Sequence, residues 1–196
     1  MKTLGFYIYF TVEKETEDEY VMSNGVKLWL DTEIDRARNA RQYGTVKSVP
    51  ENLNRFKRFK DEVDIKEGDK IWFHHFVVEE SSKIDLFGEN VYMLPYEQIF
   101  AVEREGELIP TNDFVFIKPD VKERESSILH TSKDGELSKK TGTVVYTCKD
   151  GERMGLDRGD RIFFKSKPYD MDVNGEKLYR LRADNILAKL HNGVQL

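Results

Sequence analysis

The chain has 196 residues, room for one large domain or two small ones. With 39% hydrophobic and 34% charged residues it has enough apolar side chains for a core, and as much surface as two small domains expose. A net charge of −5 excludes a global basic field for nucleic acid, and the single cysteine, Cys148, excludes an internal disulfide and a cysteine-ligated zinc centre.

The first predicted strand is GFYIYFTVE (5–13), aromatic and β-branched with partial alternation. Its apolar stretch is too short to span a membrane and lacks a small-residue cleavage site, so a cytoplasmic location is expected. A long polar loop follows over 13–43. Its acidic run EKETEDE (13–19) lacks calcium-loop spacing and reads as solvated. One apolar stretch, GVKLWLDT (25–32), interrupts the loop with Val26, Leu28, Trp29 and Leu30. EIDRARNARQ (33–42) is the best helical candidate, at one or two turns, and GTVKSV (44–49) is a short strand.

RFKRFK (55–60) interleaves Phe56 and Phe59 with four basic residues, the chemistry of a single-strand nucleic-acid groove. Asp61, Glu62 and Asp64 follow at once and the net charge is acidic, so nucleic acid is not the expected partner. GDKIWFHHFVV (68–78) opens on a Gly-Asp turn and continues as a strand. His74 and His75, read as neighbours in that strand, face opposite ways and cannot share a metal. A turn at Gly88 leads into NVYMLPYEQIFAV (90–102), two strands about a short polar step. EREGELIPTND (103–113), with Gly106 and Pro110, reads as the boundary between domains at 1–105 and 109–196.

The second half repeats the first. DFVFIKPDV (113–121) corresponds to 5–13, GTV at 142–144 to GTV at 44–46, GDRIFFK (159–165) to GDKIWFH (68–74), and EKLYRLRADNILAK (176–189) to ENVYMLPYEQIFAV (89–102). Four blocks in one order make an internal duplication, and the unequal spacings place insertions in loops. Gly44 to Gly68 spans 24 positions but Gly142 to Gly159 only 17, so the first copy carries a longer hairpin and CKDGERMGLDRGD (148–160) a tight turn. Cys148 ends the alternating run VVYTC and reads as a buried thiol. No phosphate loop, nucleophile elbow or dinucleotide fingerprint occurs, so no enzyme activity and no cofactor are expected.

The ordered blocks resemble the GroES-like co-chaperonin family, twice over nearly the whole chain. DFVFIKP is similar to the family's opening strand, GTVVYTC to its Gly-x-Val strand, GDRIFFK to its Gly-Asp strand, and the NGEKLYRLRADNILAKL segment to its closing strands. The resemblance implies an all-β protein of two tandem small barrels that self-associates into a ring and caps a GroEL-like chaperonin ring. The partner, not this chain, would use ATP. Docking would run through apolar residues in the loop before each Gly-x-Val strand. In the second loop these are Ile128 and Leu129, which otherwise belong to an ordinary surface loop. In the first they are Leu28, Trp29 and Leu30, which serve either as an anchor or as a strand packed permanently on the second domain. The resemblance also implies a roof-like hairpin in the first copy, and ring contacts through opening and closing strands whose edges are unpaired. A structural or adaptor protein reusing the fold is the alternative, with a nucleic-acid-binding barrel behind it.

Overall fold

A Gly-Asp turn occurs twice with one geometry. Gly68 and Gly159 take φ of 88° and 94°, a region open to glycine at little cost. The Lys66 amide donates to Asp69 Oδ2 at 2.7 Å, and the Asp157 amide to Asp160 Oδ2 at 2.7 Å. The two glycine amides then donate to Val46 and Val144 carbonyls at 2.9 and 2.8 Å. Each turn thereby pins the start of its Gly-Asp strand to its Gly-Thr-Val strand.

The computed structural model describes residues 5–14, 19–21, 25–29, 40–51, 65–78, 83–86, 88–121, 137–165 and 167–190. They form an all-β protein in two compact units, Met1–Asn112 and Asp113–Leu196. The first unit holds β1 (Tyr7–Thr11), β2 (Glu19–Val21), β3 (Lys27–Trp29), β4 (Tyr43–Ser48), β5 (Lys70–Phe73), β6 (Lys83–Leu86), β7 (Glu89–Pro95), β8 (Ile99–Arg104) and β9 (Glu107–Pro110). Seven of these make one antiparallel sheet in the order β6-β7-β1-β4-β5-β8-β9, and β2 pairs with β3 apart from it. The second unit holds β10 (Phe114–Val121), β11 (Leu137–Tyr146), α1 (Lys149–Arg153), β12 (Arg161–Phe164), β13 (Tyr169–Val173), β14 (Glu176–Arg182) and β15 (Ile186–Leu190). Its sheet runs β13-β14-β10-β11-β12-β15. The order is that of the first sheet strand for strand, with β9 the only addition among the described residues.

Register carries the duplication to single residues. Ile8 faces Leu94 as Val115 faces Leu181, and Phe10 faces Tyr92 as Ile117 faces Tyr179. Bulges fall at equivalent places, between Trp72 and Phe73 and between Phe163 and Phe164. Alternate positions point inward. In the first unit Ile8, Phe10, Val46, Ile71, Phe73, Tyr92, Leu94 and Ile99 form one core, and Phe10 packs on Phe73 and Tyr92 at ring distances of 4.7 and 5.6 Å. In the second, Val115, Ile117, Val144, Ile162, Phe164, Tyr179, Leu181 and Ile186 take the same places. Each such side chain contributes roughly 1.5–3 kcal/mol on burial.

Several expectations are corrected. The opening blocks correspond one residue out of step with the alignment of 5–13 to 113–121: Tyr7, facing Pro95, matches Phe114, facing Arg182. Gly5 then matches Asn112, and both have positive φ, 81° and 53°. The opening strands have no free edge, because β1 lies between β7 and β4, and β10 between β14 and β11. The polar stretch 103–113 is a hairpin: Ile109 pairs with Val102, and Glu105 and Gly106 make the turn with φ of 52° and 81°. The tight turn expected at 148–160 contains α1, whose first turn is capped by Cys148 Sγ accepting from the Gly151 amide at 3.4 Å. Among the described residues each ladder is open, with edges at β6 and β9 and at β13 and β15. Most of the helical candidate, most of the roof hairpin and all of RFKRFK fall outside the described residues.

Candidate docking site

The connection from β1 to β4 is where the two copies diverge most. It holds the β2–β3 hairpin, in which Glu19 faces Trp29, Tyr20 faces Leu28 and Val21 faces Lys27. Gly25, at φ 82°, follows Asn24 in the sequence, a dipeptide that favours tight hairpin connections. Asn24-Gly25 is the sequence signal for this hairpin, and it lay unused in reading the stretch as one apolar run. Along β3 and just before it the apolar side chains are exposed: Val26 49%, Leu28 46% and Trp29 75%. A two-stranded hairpin with its apolar residues in water has little to stabilise it alone. The arrangement leaves an apolar surface, built around one indole, exposed to solvent. Leu30, Ile128 and Leu129 lie outside the described residues.

The second copy's connection is framed differently. β10 and β11 stay paired to Val121 and Leu137, at the foot of the loop. Ser138 Oγ accepts from the Lys140 and Thr141 amides at 3.3 and 3.1 Å and bonds Thr141 Oγ1 at 2.9 Å. These bonds satisfy the backbone where β11 bulges against Pro119. Val121, 60% exposed, is the apolar residue at that foot.

Other candidate chemistry is internally satisfied. Lys70 Nζ lies 4.3 Å from the Tyr43 ring centre and 4.9 Å from that of Trp72, and pairs with Glu103 at 2.9 Å. Trp72 is 2% exposed and its indole N–H donates to Glu103 at 2.9 Å, so this basic-aromatic group is no stacking platform for bases. His74 and His75 do not alternate in a strand. His74 caps a 3-10 turn over His75–Val77, accepting from the Phe76 amide at 3.2 Å, and the two rings lie 4.2 Å apart. The opposite-face reason for dismissing a metal therefore fails. Among the described residues, however, no group of three or more His, Cys, Asp or Glu is placed to hold one.

Asp69 and Asp160, two of the titratable groups with displaced pKa, serve the Gly-Asp turns. Burial pushes the Asp69 carboxyl up, but the Arg104 guanidinium and the Lys66 amide outweigh it and hold it below the ordinary range. Lys189, 2.7 Å away, holds Asp160 low, and Asp160 in turn raises Lys189. Burial lowers Arg180 to about 10; its guanidinium lies 4.7 Å from the Phe114 ring and 5.0 Å from that of Tyr169. Burial also pushes the Cys148 thiol up, away from reactivity. None of these groups is arranged as nucleophile and base.

Among the described residues no helix is long and apolar enough to cross a membrane. No protein-family model matches the chain, and no curated protein matches it.

Proposed function

We propose that the chain is a co-chaperonin: two tandem GroES-like barrels that assemble with other copies into a ring and cap a chaperonin chamber. The observation that carries the reading is the β2–β3 hairpin, which presents Leu28 and Trp29 to solvent from the connection between the opening and Gly-Thr-Val strands. Its support is the strand order repeated in the two sheets, since a duplicated scaffold with divergent connections keeps a frame and varies the contact. Weak docking by each hairpin, multiplied around a ring, gives tight but reversible capping. Ring contacts would use the free edges β6, β9, β13 and β15 rather than the opening strands.

The test is capping of a chaperonin ring with ATP, read by sedimentation and electron microscopy, for the native chain, Leu28→Ser/Trp29→Ser and Ile128→Ser/Leu129→Ser. Leu28 and Trp29 are exposed, so their replacement should change unfolding stability by less than about 0.5 kcal/mol while abolishing capping. Loss of capping only in the second variant moves the anchor to the second loop. No capping by the native chain removes the lid reading. The alternative, a structural or adaptor role, draws on the hairpin being paired in the isolated chain, and predicts that hydrogen exchange already protects the β2–β3 amides without a partner.

A further inference from the structure

The hairpins that join β6 to β7 and β13 to β14 share one device. Leu86 faces Glu89 and Val173 faces Glu176, so two residues make each turn. The Gly88 amide donates to Asp85 Oδ1 at 2.9 Å, and the Gly175 amide to Asp172 Oδ1 at 2.8 Å. The sequences differ in the residue before the glycine, Phe87 in the first copy and Asn174 in the second. Asn174 and Gly175 take positive φ, 54° and 82°, the conformation that makes Asn-Gly a favoured pair in tight hairpins, and both are exposed. Asparagine brings chemistry that phenylalanine lacks. Its carboxamide carbon can be reached by the backbone nitrogen of the next residue, and glycine has no side chain to obstruct the approach. When Gly175 N attacks Asn174 Cγ, the new C–N bond closes a five-membered imide and the Cγ–Nδ2 bond breaks. The side-chain nitrogen leaves as ammonia with the backbone amide proton. Water then opens the imide at either carbonyl, leaving aspartate or isoaspartate.

We propose that Asn174 is a site of this spontaneous modification, that Asp172 guards it in the folded hairpin, and that isoaspartate there unlatches β13. The Asp172 carboxylate accepts the proton that must leave the attacking nitrogen, and its negative charge opposes an amide anion beside it. Attack therefore waits on local opening of the turn. Isoaspartate routes the chain through Cγ and adds one backbone carbon to a two-residue turn, which displaces Val173 from Glu176. Among the described residues β13 is bonded to β14 alone, so its five-residue register is what keeps Met171 and Val173 buried. The inference is independent of the lid reading.

The experiment incubates the full-length chain at mildly alkaline pH with and without urea, and mass spectrometry of the peptide spanning the turn follows Asn, Asp and isoaspartate at position 174. In urea the three Asn-Gly pairs of the sequence, 24–25, 174–175 and 192–193, should react at similar rates, which calibrates the measurement. In the folded chain Asn174 should react at least about tenfold more slowly than in urea. Asp172→Ala should recover much of that factor, and Asp172→Asn, which keeps an acceptor oxygen, should stay closer to native. Accessibility of Cys148 to a thiol reagent reports whether the second unit is folded in each variant; if the alanine variant unfolds, the asparagine variant carries the comparison. Equal rates for the native chain folded and in urea overturn the guard, as does a native rate in a folded Asp172→Ala chain. No reaction at Asn174 in urea overturns the site. Hydrogen exchange at the β13 amides should quicken at least about tenfold in the isoaspartate chain, while Asn174→Asp, which adds the charge without the extra backbone carbon, stays near native. Equal exchange in those two chains overturns the unlatching.

Discussion

Gly44 and Gly142 occupy the same place in the two sheets, and replacing either by alanine tests whether one packing rule built both units. Neither is in the left-handed region, so strain is not the issue. A Cβ on Gly44 would lie 2.7 Å from the Thr11 carbonyl oxygen and 2.6 Å from Phe10 Cδ2; on Gly142 it would lie 2.6 Å from the Lys118 carbonyl oxygen and 2.8 Å from Ile117 Cδ1. Thr11 and Lys118, and Phe10 and Ile117, are equivalent residues of β1 and β10. A side chain can rotate away, but a strand carbonyl moves only with its ladder. Overpacking of this kind costs about 1–3 kcal/mol, and alanine recovers part of it through its lower backbone entropy, roughly 0.5–1 kcal/mol. The net loss should be about 1–2 kcal/mol at each site, a urea midpoint shift on the order of 1 M or less. Both tryptophans lie in the first unit and the only cysteine in the second, so the units report separately. Tryptophan emission follows Gly44→Ala, and Cys148 accessibility to a thiol reagent follows Gly142→Ala. A loss under about 0.5 kcal/mol at either glycine refutes the close-approach reasoning for that unit.

The Asp69–Arg104 pair should make the first unit acid-sensitive. Asp69 is held below its unfolded value of 3.8, so its contribution is present above that pH and disappears as pH falls through the lower folded value. With the Asp69 and Arg104 side chains 11% and 32% exposed, Asp69→Asn should cost about 1–2 kcal/mol near pH 7 in urea unfolding and nothing once Asp69 is protonated. An equal cost at both pH values would assign the loss to the Lys66 turn instead. Cys148 is 3% exposed with a raised pKa, so iodoacetamide should modify it at least about 100-fold more slowly in the native chain than in urea near pH 8. Equal rates would contradict its place beneath α1.

The parts legible in the sequence are those where the backbone demands a particular residue. Gly68-Asp69 and Gly159-Asp160 repeat because a positive φ followed by an amide-capping carboxylate has few solutions. The close approach at Gly44 and Gly142 penalises any Cβ, so Gly-Thr-Val repeats as well. The opening strand was misread by one position because matching Phe6 to Phe114 looks conservative in letters, whereas the ladder matches inward faces, Ile8 with Val115. A shift of one residue reverses every side chain in a strand, and only cross-strand partners settle it. β9 was lost because ELIP contains a proline and sits between polar residues, the marks of a linker and equally of an edge strand. At the site, the apolar run was legible, but its pairing with Glu19–Val21 depends on a non-local ladder that composition does not announce.

The asymmetry between the two copies bears on how a ring of such chains would hold its partner. A chain in which both loops dock offers two contacts, and a ring of them twice as many as it has chains. If only the first hairpin docks, the number of contacts halves and each must be stronger for the same avidity. One feature of the first connection acts in that direction. Its strands are already paired in the isolated chain, which reduces the ordering cost that coupled folding imposes, on the order of 2–5 kcal/mol for a disordered segment. A paired hairpin that exposes an indole fits that demand better than a loop whose candidate anchor is two residues long.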